Sequence, residues 1–458
     1  MFDLAALFGD DFDAFADGAA EPFASPEVIA AAAAAILGGP LLEPAVHDAL
    51  LAMLDEPDRR ATARVAATAR LVVTHFGAGR RLFHDELCRG LERCPPFLRA
   101  FGQHADVEVS FEGVAPSMLP AQGCEGFAVP SLTTPGELAA WLGLHDDELQ
   151  DLARSWHGDG ARHYWPRWRP RRSAPPRLLE VPKLRLADVQ RRIARHLLAA
   201  VPPHPTAHGF VRGRSVASGL REHVGRACLL RLDVEDCFAS FGKGRVRRVF
   251  LNLGYPEVVA DLLTRLCTVA TPHRELRELT AAPHPRAQRL AEKLRRPHLP
   301  QGAPTSPMLA NLCAFAIDAR LAGLARRFGA TYTRYADDLL FSGDERFARD
   351  AGRCAPRAAA ILLESGLHVA HHKTRVMRRG TAQRACGLVV NEHLALPRRE
   401  RQRLEAILHN CVVHGPSTQN RDGVGDFRAV LQGRVAHARR FDRSGRLAGL
   451  LAAIDWSR

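Results

Sequence analysis

Residues 333–342 read TRYADDLLFS and place two adjacent aspartates, Asp337 and Asp338, between short runs of aromatic and aliphatic residues. Neighbouring carboxylates repel, and partial burial raises the pKa of at least one unless a cation holds both ionised. Two β-prone runs around such a doublet predict a hairpin with the acids at its tip, a position where Asp is common. The doublet alone is also compatible with a plain polar turn. What the rest of the chain brings to that tip decides its meaning.

A second apolar stretch, ACLLRLDVEDCF at 227–238, is strand-like and carries Asp233 near its end. A strand bearing one Asp beside a hairpin bearing two would converge three carboxylates on one point. Such a cluster is electrostatically tenable when divalent cations occupy it. Oxygen-only donors favour Mg²⁺ over zinc, and two Mg²⁺ ions bridged by carboxylates suit nucleotidyl transfer.

The charge distribution points the same way. The net charge is +13, yet residues 1–130 hold 19 Asp/Glu against 9 Arg and no Lys, a balance of −10. The remainder therefore carries +23, since 13 + 10 = 23. An acidic N-terminal module thus precedes a strongly basic one, and a basic body suits a polyphosphate partner such as a nucleic acid. The ten cysteines show no CxxC pair and no zinc spacing, which predicts packed, reduced thiols. No segment approaches the apolar length of a membrane span, so a cytoplasmic protein with no membrane partner is expected.

Residues 1–25 are acidic and Gly/Ala-rich, as in a loose or docking tail, and 26–99 carry Ala and Leu at helical spacing. A connector at 104–131 has strand-like character, and two short helices are expected over 133–156. The Arg-, Trp- and Pro-rich stretch 162–182 reads either as two strands around a basic tip or as a basic arm. An amphipathic helix at 184–201, a basic helix at 243–255, one long apolar helix at 308–329 and a helix at 345–365 follow.

Four segments in order, RLDVEDCFASF, PQGAPTSPMLANL, TRYADDLLFS and GLHVAHHKTRV, resemble successive palm motifs of reverse transcriptases. With AHGFVRGRSV at 207–216, the resemblance narrows to the retron-type reverse transcriptases of bacteria and covers about residues 140–458. It implies an α+β right-hand polymerase fold: fingers at 131–226, a palm with an antiparallel sheet at 227–390 and a helical thumb at 391–458. A small, mainly helical N-terminal domain at 1–130, an effector, docking or regulatory element, precedes it. The implied activity is RNA-directed synthesis of single-stranded DNA on a cognate noncoding RNA, in an antiphage defence setting. The implied partners are that RNA, its DNA product, dNTPs and a possible effector protein.

By the same resemblance Asp233, Asp337 and Asp338, with the main chain of Val234, ligate two Mg²⁺ ions, with Mn²⁺ a possible substitute. Phe238 would lie under the incoming sugar and exclude a 2′-OH, with Asp236 beside it. Gln301 and Gly302 would face the nascent pair, while Arg171 and Arg177 would clamp the triphosphate, for which the guanidinium fork is suited. Tyr335 would abut the primer end, and Arg212 and Arg214 would meet the template. His223, Gly387, Asn391, Arg398 and Arg399 would contact RNA. Lys373 is one of four lysines among 63 basic residues. Lys can donate a proton near neutrality where Arg cannot, which suits protonation of the leaving pyrophosphate.

The chain departs from the family pattern in three places. The Asn-Ala-x-x-His motif reads Gly219-Leu220-Arg221-Glu222-His223, Val-Thr-Gly reads Ala385-Cys386-Gly387, and the tail after Asp233 reads CFASF. The residues leave room for a group II intron-like or diversity-generating reverse transcriptase, a non-catalytic RNA-binding relative, or a protein-binding adaptor.

Overall fold

The computed structural model describes residues 24–457 apart from 38, 40, 55–56, 77–83, 103–116, 155–162, 172–174, 282–284 and 443. The acidic tail up to residue 23 and residues 104–116 of the connector lie outside the described residues; the rest of the connector, 117–131, expected to be strand-like, forms turns and no strand, in keeping with its Gly and Pro content. The chain divides into two compact units, one taking in 1–120, 132–138 and 254–260, the other the remainder.

In the first unit the Ala/Leu periodicity becomes helices Pro26–Leu37, Glu43–Leu51, Arg59–Phe76, His84–Leu91 and Pro95–Phe101. Proline opens the first and last of these, where its missing N–H costs nothing. Ala32 and Ala33 are fully buried, so the alanine face of the first helix lets its neighbours approach closely. Ile36, Leu50, Val65, Leu87, Leu91 and Phe97 fill the centre. Phe97 stacks on Phe101 with ring centroids 4.7 Å apart.

The second unit opens its sheet structure with β1 (Tyr164–Arg169) and β2 (Arg177–Pro182), antiparallel, with Arg169 opposite Arg177. Of the two readings of 162–182, the pair of strands is the one realised. The larger sheet contains β3 (Cys228–Glu235), β4 (Thr331–Tyr335), β5 (Asp338–Gly343), β6 (His368–Val369) and β7 (Arg375–Arg378). Its order is β4-β5-β3-β6, with β7 also paired to β3, and every pairing is antiparallel. All six residues of β5 are buried, and its apolar residues Leu339, Leu340 and Phe341 form an unbroken run because both faces of the strand are covered.

One helix was expected over 308–329; two form, Ser306–Cys313 and Phe315–Arg327, bent by 51° at their junction. With that bend, Asn311 on the first helix and Asp318 on the second both reach the guanidinium of Arg334. Helix Glu345–Glu364 is capped by Asp344, whose carboxylate accepts from the backbone N–H of Arg346 and Phe347. The C-terminal helices Arg398–His414, Phe427–Arg439 and Arg446–Ala452 share a core of Leu404, Leu408, Leu431, Val435 and Leu447. The ten cysteines form no disulfide. Among the described residues no single helix is long and apolar enough to cross a membrane.

Candidate active site

Register brings the acidic residues together. In the β3–β5 ladder Asp233 stands opposite Asp338, and in the β4–β5 hairpin Tyr335 stands opposite Asp338, leaving Ala336 and Asp337 as a two-residue loop. Ala336 has φ 55°, the positive value that tight hairpin turns demand and that Gly ordinarily supplies. The backbone N–H of Val234 donates to the Asp337 carbonyl at 3.0 Å, tying the loop to β3.

A cavity of about 250 Å³ opens beside this turn. Asp233, Val234, Asp236, Phe238, Asp337 and Lys373 line it, together with Arg171, Arg177 and Gln301 from earlier and later in the chain. Lys373 sits in a short turn, 371–373, whose approach is fixed by the Ala370 N–H donating to the Asp233 carbonyl. Its Nζ lies 2.7 Å from Asp233 Oδ1. Burial, then the charges of Asp233 and Asp338, push the Asp337 carboxyl above the usual carboxylate range, and Lys373 offsets this only in part. Arg171 is pulled below the ordinary Arg value by burial and by neighbouring Arg177, so two guanidiniums crowd one wall.

The aspartate doublet is split. Asp338 is not among the residues lining the cavity. Arg231 Nε donates to its Oδ1 at 2.8 Å, a second guanidinium nitrogen lies 2.7 Å from the same oxygen, and Cys386 Sγ is 3.5 Å from Oδ2. Burial lowers the pKa of Arg231, but the charge and hydrogen bond of Asp338 outweigh it and the net shift is upward. Burial, then Asp338, push the Cys386 thiol up, so it meets the carboxylate as a neutral donor.

Among the described residues no three His, Cys, Asp or Glu side chains lie close enough to clamp a metal ion. The donor chemistry nonetheless fits a hard divalent cation. The acids are oxygen donors, they repel one another, and two of them already hold organic cations, Lys373 and Arg231.

Several expected contacts are used internally instead. His223, expected at RNA, is fully buried, with Nδ1 2.6 Å from Ser342 Oγ and Nε2 2.7 Å from Thr333 Oγ1. Burial drives its pKa down to about 3, so it is a neutral core residue under the hairpin. The Asn391 amide is spent on the backbone of 379–383: its nitrogen donates to the Arg379 and Thr381 carbonyls, and its oxygen accepts from the Gln383 N–H. Gly302 lies off the cavity lining, and its φ of 135° and close approach to the Glu180 carbonyl explain the glycine, since a Cβ would come within 3.1 Å. One guanidinium nitrogen of Arg214 donates to the Pro205 and Ala207 carbonyls at 2.5 and 2.6 Å. Arg212, Arg398 and Arg399 are exposed, Tyr335 is half-buried, and Gly387 has φ 80° in the turn that follows Cys386.

Three site residues escaped the sequence reading: Arg231 and Cys386, which hold Asp338, and Phe210, which lines the cavity. Arg231 was within reach of pattern alone, because it lies two residues before Asp233 and so shares its face of the strand.

Comparison with known proteins follows the same outline. The family model described as "Reverse transcriptase (RNA-dependent DNA polymerase)" matches residues 170–404. The Retron Mx65 reverse transcriptase of Myxococcus xanthus is 41% identical over 313 residues, 68% of this chain and 69% of that protein. The Retron Mx162 reverse transcriptase of the same organism is 36% identical over 291 residues, 60% of this chain and 58% of that protein. The Retron Ec86 reverse transcriptase of Escherichia coli is 28% identical over 235 residues, 51% of this chain and 65% of that protein. The matched part thus falls short of two thirds of the Mx162 and Ec86 proteins.

Proposed function

The chain belongs to the retron-type reverse transcriptases, RNA-directed DNA polymerases by family, and from that premise we propose that it copies a cognate structured noncoding RNA into single-stranded DNA, in antiphage defence. The observation that carries this reading is one cavity holding Asp233, Asp337 and Lys373 together with Arg171 and Arg177. Acids for the reacting end, a proton donor and a basic clamp for phosphates are the parts nucleotidyl transfer requires.

Asp233, Asp337 and Asp338, with the carbonyl of Val234, would hold the divalent cations, Mg²⁺ or in its place Mn²⁺. When bound, these ions supply activation of the primer 3′-hydroxyl and neutralisation of the triphosphate. Arg171 and Arg177 bind and orient the triphosphate through bidentate hydrogen bonds. Phe238 packs under the sugar and excludes a 2′-hydroxyl. Lys373, its Nζ 2.7 Å from Asp233, donates a proton to the leaving pyrophosphate oxygen. Tyr335 and Gln301 border the growing pair, and Arg212, Arg398 and Arg399 meet the nucleic-acid backbone.

Residues 131–226 then serve as fingers, 227–390 as palm and 391–458 as thumb, while 1–130 serve as an effector, docking or regulatory element. The product would be an RNA–DNA hybrid made in the cytoplasm. Sequencing the nucleic acid that copurifies with the protein tests this. A covalent RNA–DNA hybrid templated by an adjacent locus is the expected result. Activity on any primed RNA with no such hybrid would overturn the retron product while sparing the polymerase chemistry.

A further inference from the structure

Among the described residues four non-glycine residues have left-handed backbone: Phe210, Asp236, Ala336 and Cys386. The first three line the cavity and the fourth touches Asp338. Asp tolerates this conformation, and Ala336 needs it to turn the hairpin. Phe210, at φ 61°, has neither excuse. A bulky side chain there is a genuine outlier, and such strain persists where the surroundings impose it and clusters at functional sites. Nor does burial repay it, since Phe210 is 47% exposed.

What imposes the strain is the hairpin turn itself. The His208 N–H donates to the Arg334 carbonyl at 2.8 Å, and the Gly209 carbonyl accepts from Asn311 Nδ2 at 2.8 Å. Gly209 packs so tightly on the turn that a Cβ would stand 2.5 Å from the Ala336 nitrogen. Arg334 closes the rack by donating to the Ala336 carbonyl at 3.2 Å and to buried Asp318 at 2.7 Å. One buried network therefore fixes both the turn that presents Asp337 and the residue that precedes Phe210. The Phe210 ring stands 6.3 Å from that of Phe238, centroid to centroid, tilted by 52°.

We propose that Phe210 is a specificity-determining residue that touches the incoming deoxynucleotide. Its exposed ring supplies a second apolar wall, against the sugar and base, beside Phe238. This rests on the polymerase reading above and on the place of Phe238 within it. The strained backbone holds the ring in place beside the turn that presents Asp337, where a relaxed backbone would turn it elsewhere.

Single-nucleotide extension of a DNA primer on an RNA template, with the full chain and each dNTP, tests the proposal alongside thermal melting. Phe210→Gly should raise KM for dNTP about tenfold with kcat within about twofold, because one aromatic contact to a base is worth roughly a factor of ten. Its Tm should equal or exceed that of the wild type, because glycine adopts φ 61° freely. Phe210→Tyr should restore the wild-type KM. A KM unchanged in Phe210→Gly, or one that Phe210→Tyr fails to restore, would overturn the proposal while leaving the polymerase intact. If Phe210→Gly does not fold, Phe210→Leu carries the same comparison, with a raised KM expected and an unchanged one decisive against. A wild-type chain that extends no primer even on the RNA that copurifies with it would instead sink the polymerase reading, and this proposal with it.

Discussion

The N-terminal helices and the larger sheet are built from opposite interiors. Within helices 26–101 the described core is alkyl and aromatic, and the one buried polar side chain is Thr68, which donates to the Arg64 carbonyl of its own helix. The surroundings of the larger sheet bury Asp233, Asp338, Asp318, Arg334 and His223, and the turns there hold left-handed backbone at Asp236 and Ala336. An apolar core gives cohesion and little else. A buried polar network is costly unless every member is satisfied, but it fixes geometry, and geometry is what a cluster of like charges needs. The two units should therefore fail in different ways when altered.

The largest separation is expected at the turn. Asp337→Asn should abolish primer extension without lowering stability. The Asp337 carboxyl sits above its usual pKa through burial and its two acidic neighbours, so folding favours its protonated form more than the unfolded chain does. Its contribution is complete below the ordinary Asp value of about 3.9 and is lost as pH rises through the raised one. Metal-free melting at neutral pH should give the Asn variant an equal or higher Tm, the difference closing as pH falls towards about 4. A lower Tm at neutral pH would show that other groups around the sheet stabilise the charge.

Next comes Lys373→Ala. As the general acid it should cost about 10²–10⁴ in kcat, with KM for dNTP little changed. Loss confined to KM would make it a phosphate anchor instead. In the helical unit the order inverts. Leu50→Ala removes a fully buried side chain and should cost about 2–5 kcal/mol in that unit's unfolding. Primer extension below that transition should hold at the wild-type rate. Activity that falls in step with the melting of these helices would abolish the contrast.

The smallest effect is a pH one. His223 is held neutral, with its pKa lowered to about 3, while in the unfolded chain it titrates near 6.5. A depressed group stabilises above the unfolded pKa and loses that contribution as pH falls towards the folded one. Between pH 7 and 5 the second unit should lose about 2 kcal/mol from this residue, and His223→Gln should flatten that slope. An unaltered slope would remove His223 from the account.

Much of this site was legible without coordinates. The alternation in RLDVED and the apolar runs around the doublet place Asp233 and Asp337 on strands and turns through local rules of period and turn chemistry. So do the helices of 26–99 and 345–365. The internal hydrogen bonds of His223 and Asn391 were not legible in the sequence for a shared reason. A polar residue in a motif looks the same in sequence whether it faces a ligand or bonds the chain's own backbone. His223 finds its partners 110 and 119 residues away, at Thr333 and Ser342.

By itself, then, the sequence determined the family, the acidic and basic halves, and the acids that meet at the hairpin. Each of these depends on neighbours within a few positions or on charge summed over the chain. The tertiary structure alone decided how those acids are handled. It turned Asp337 into the cavity and gave Asp338 to Arg231, 107 residues before it. It bent one expected helix by 51° so that Asn311 and Asp318 meet at Arg334, and it held Phe210 in a conformation that its own side chain disfavours. Such pairings follow from strand register and helix packing across long stretches of chain, which no local pattern encodes.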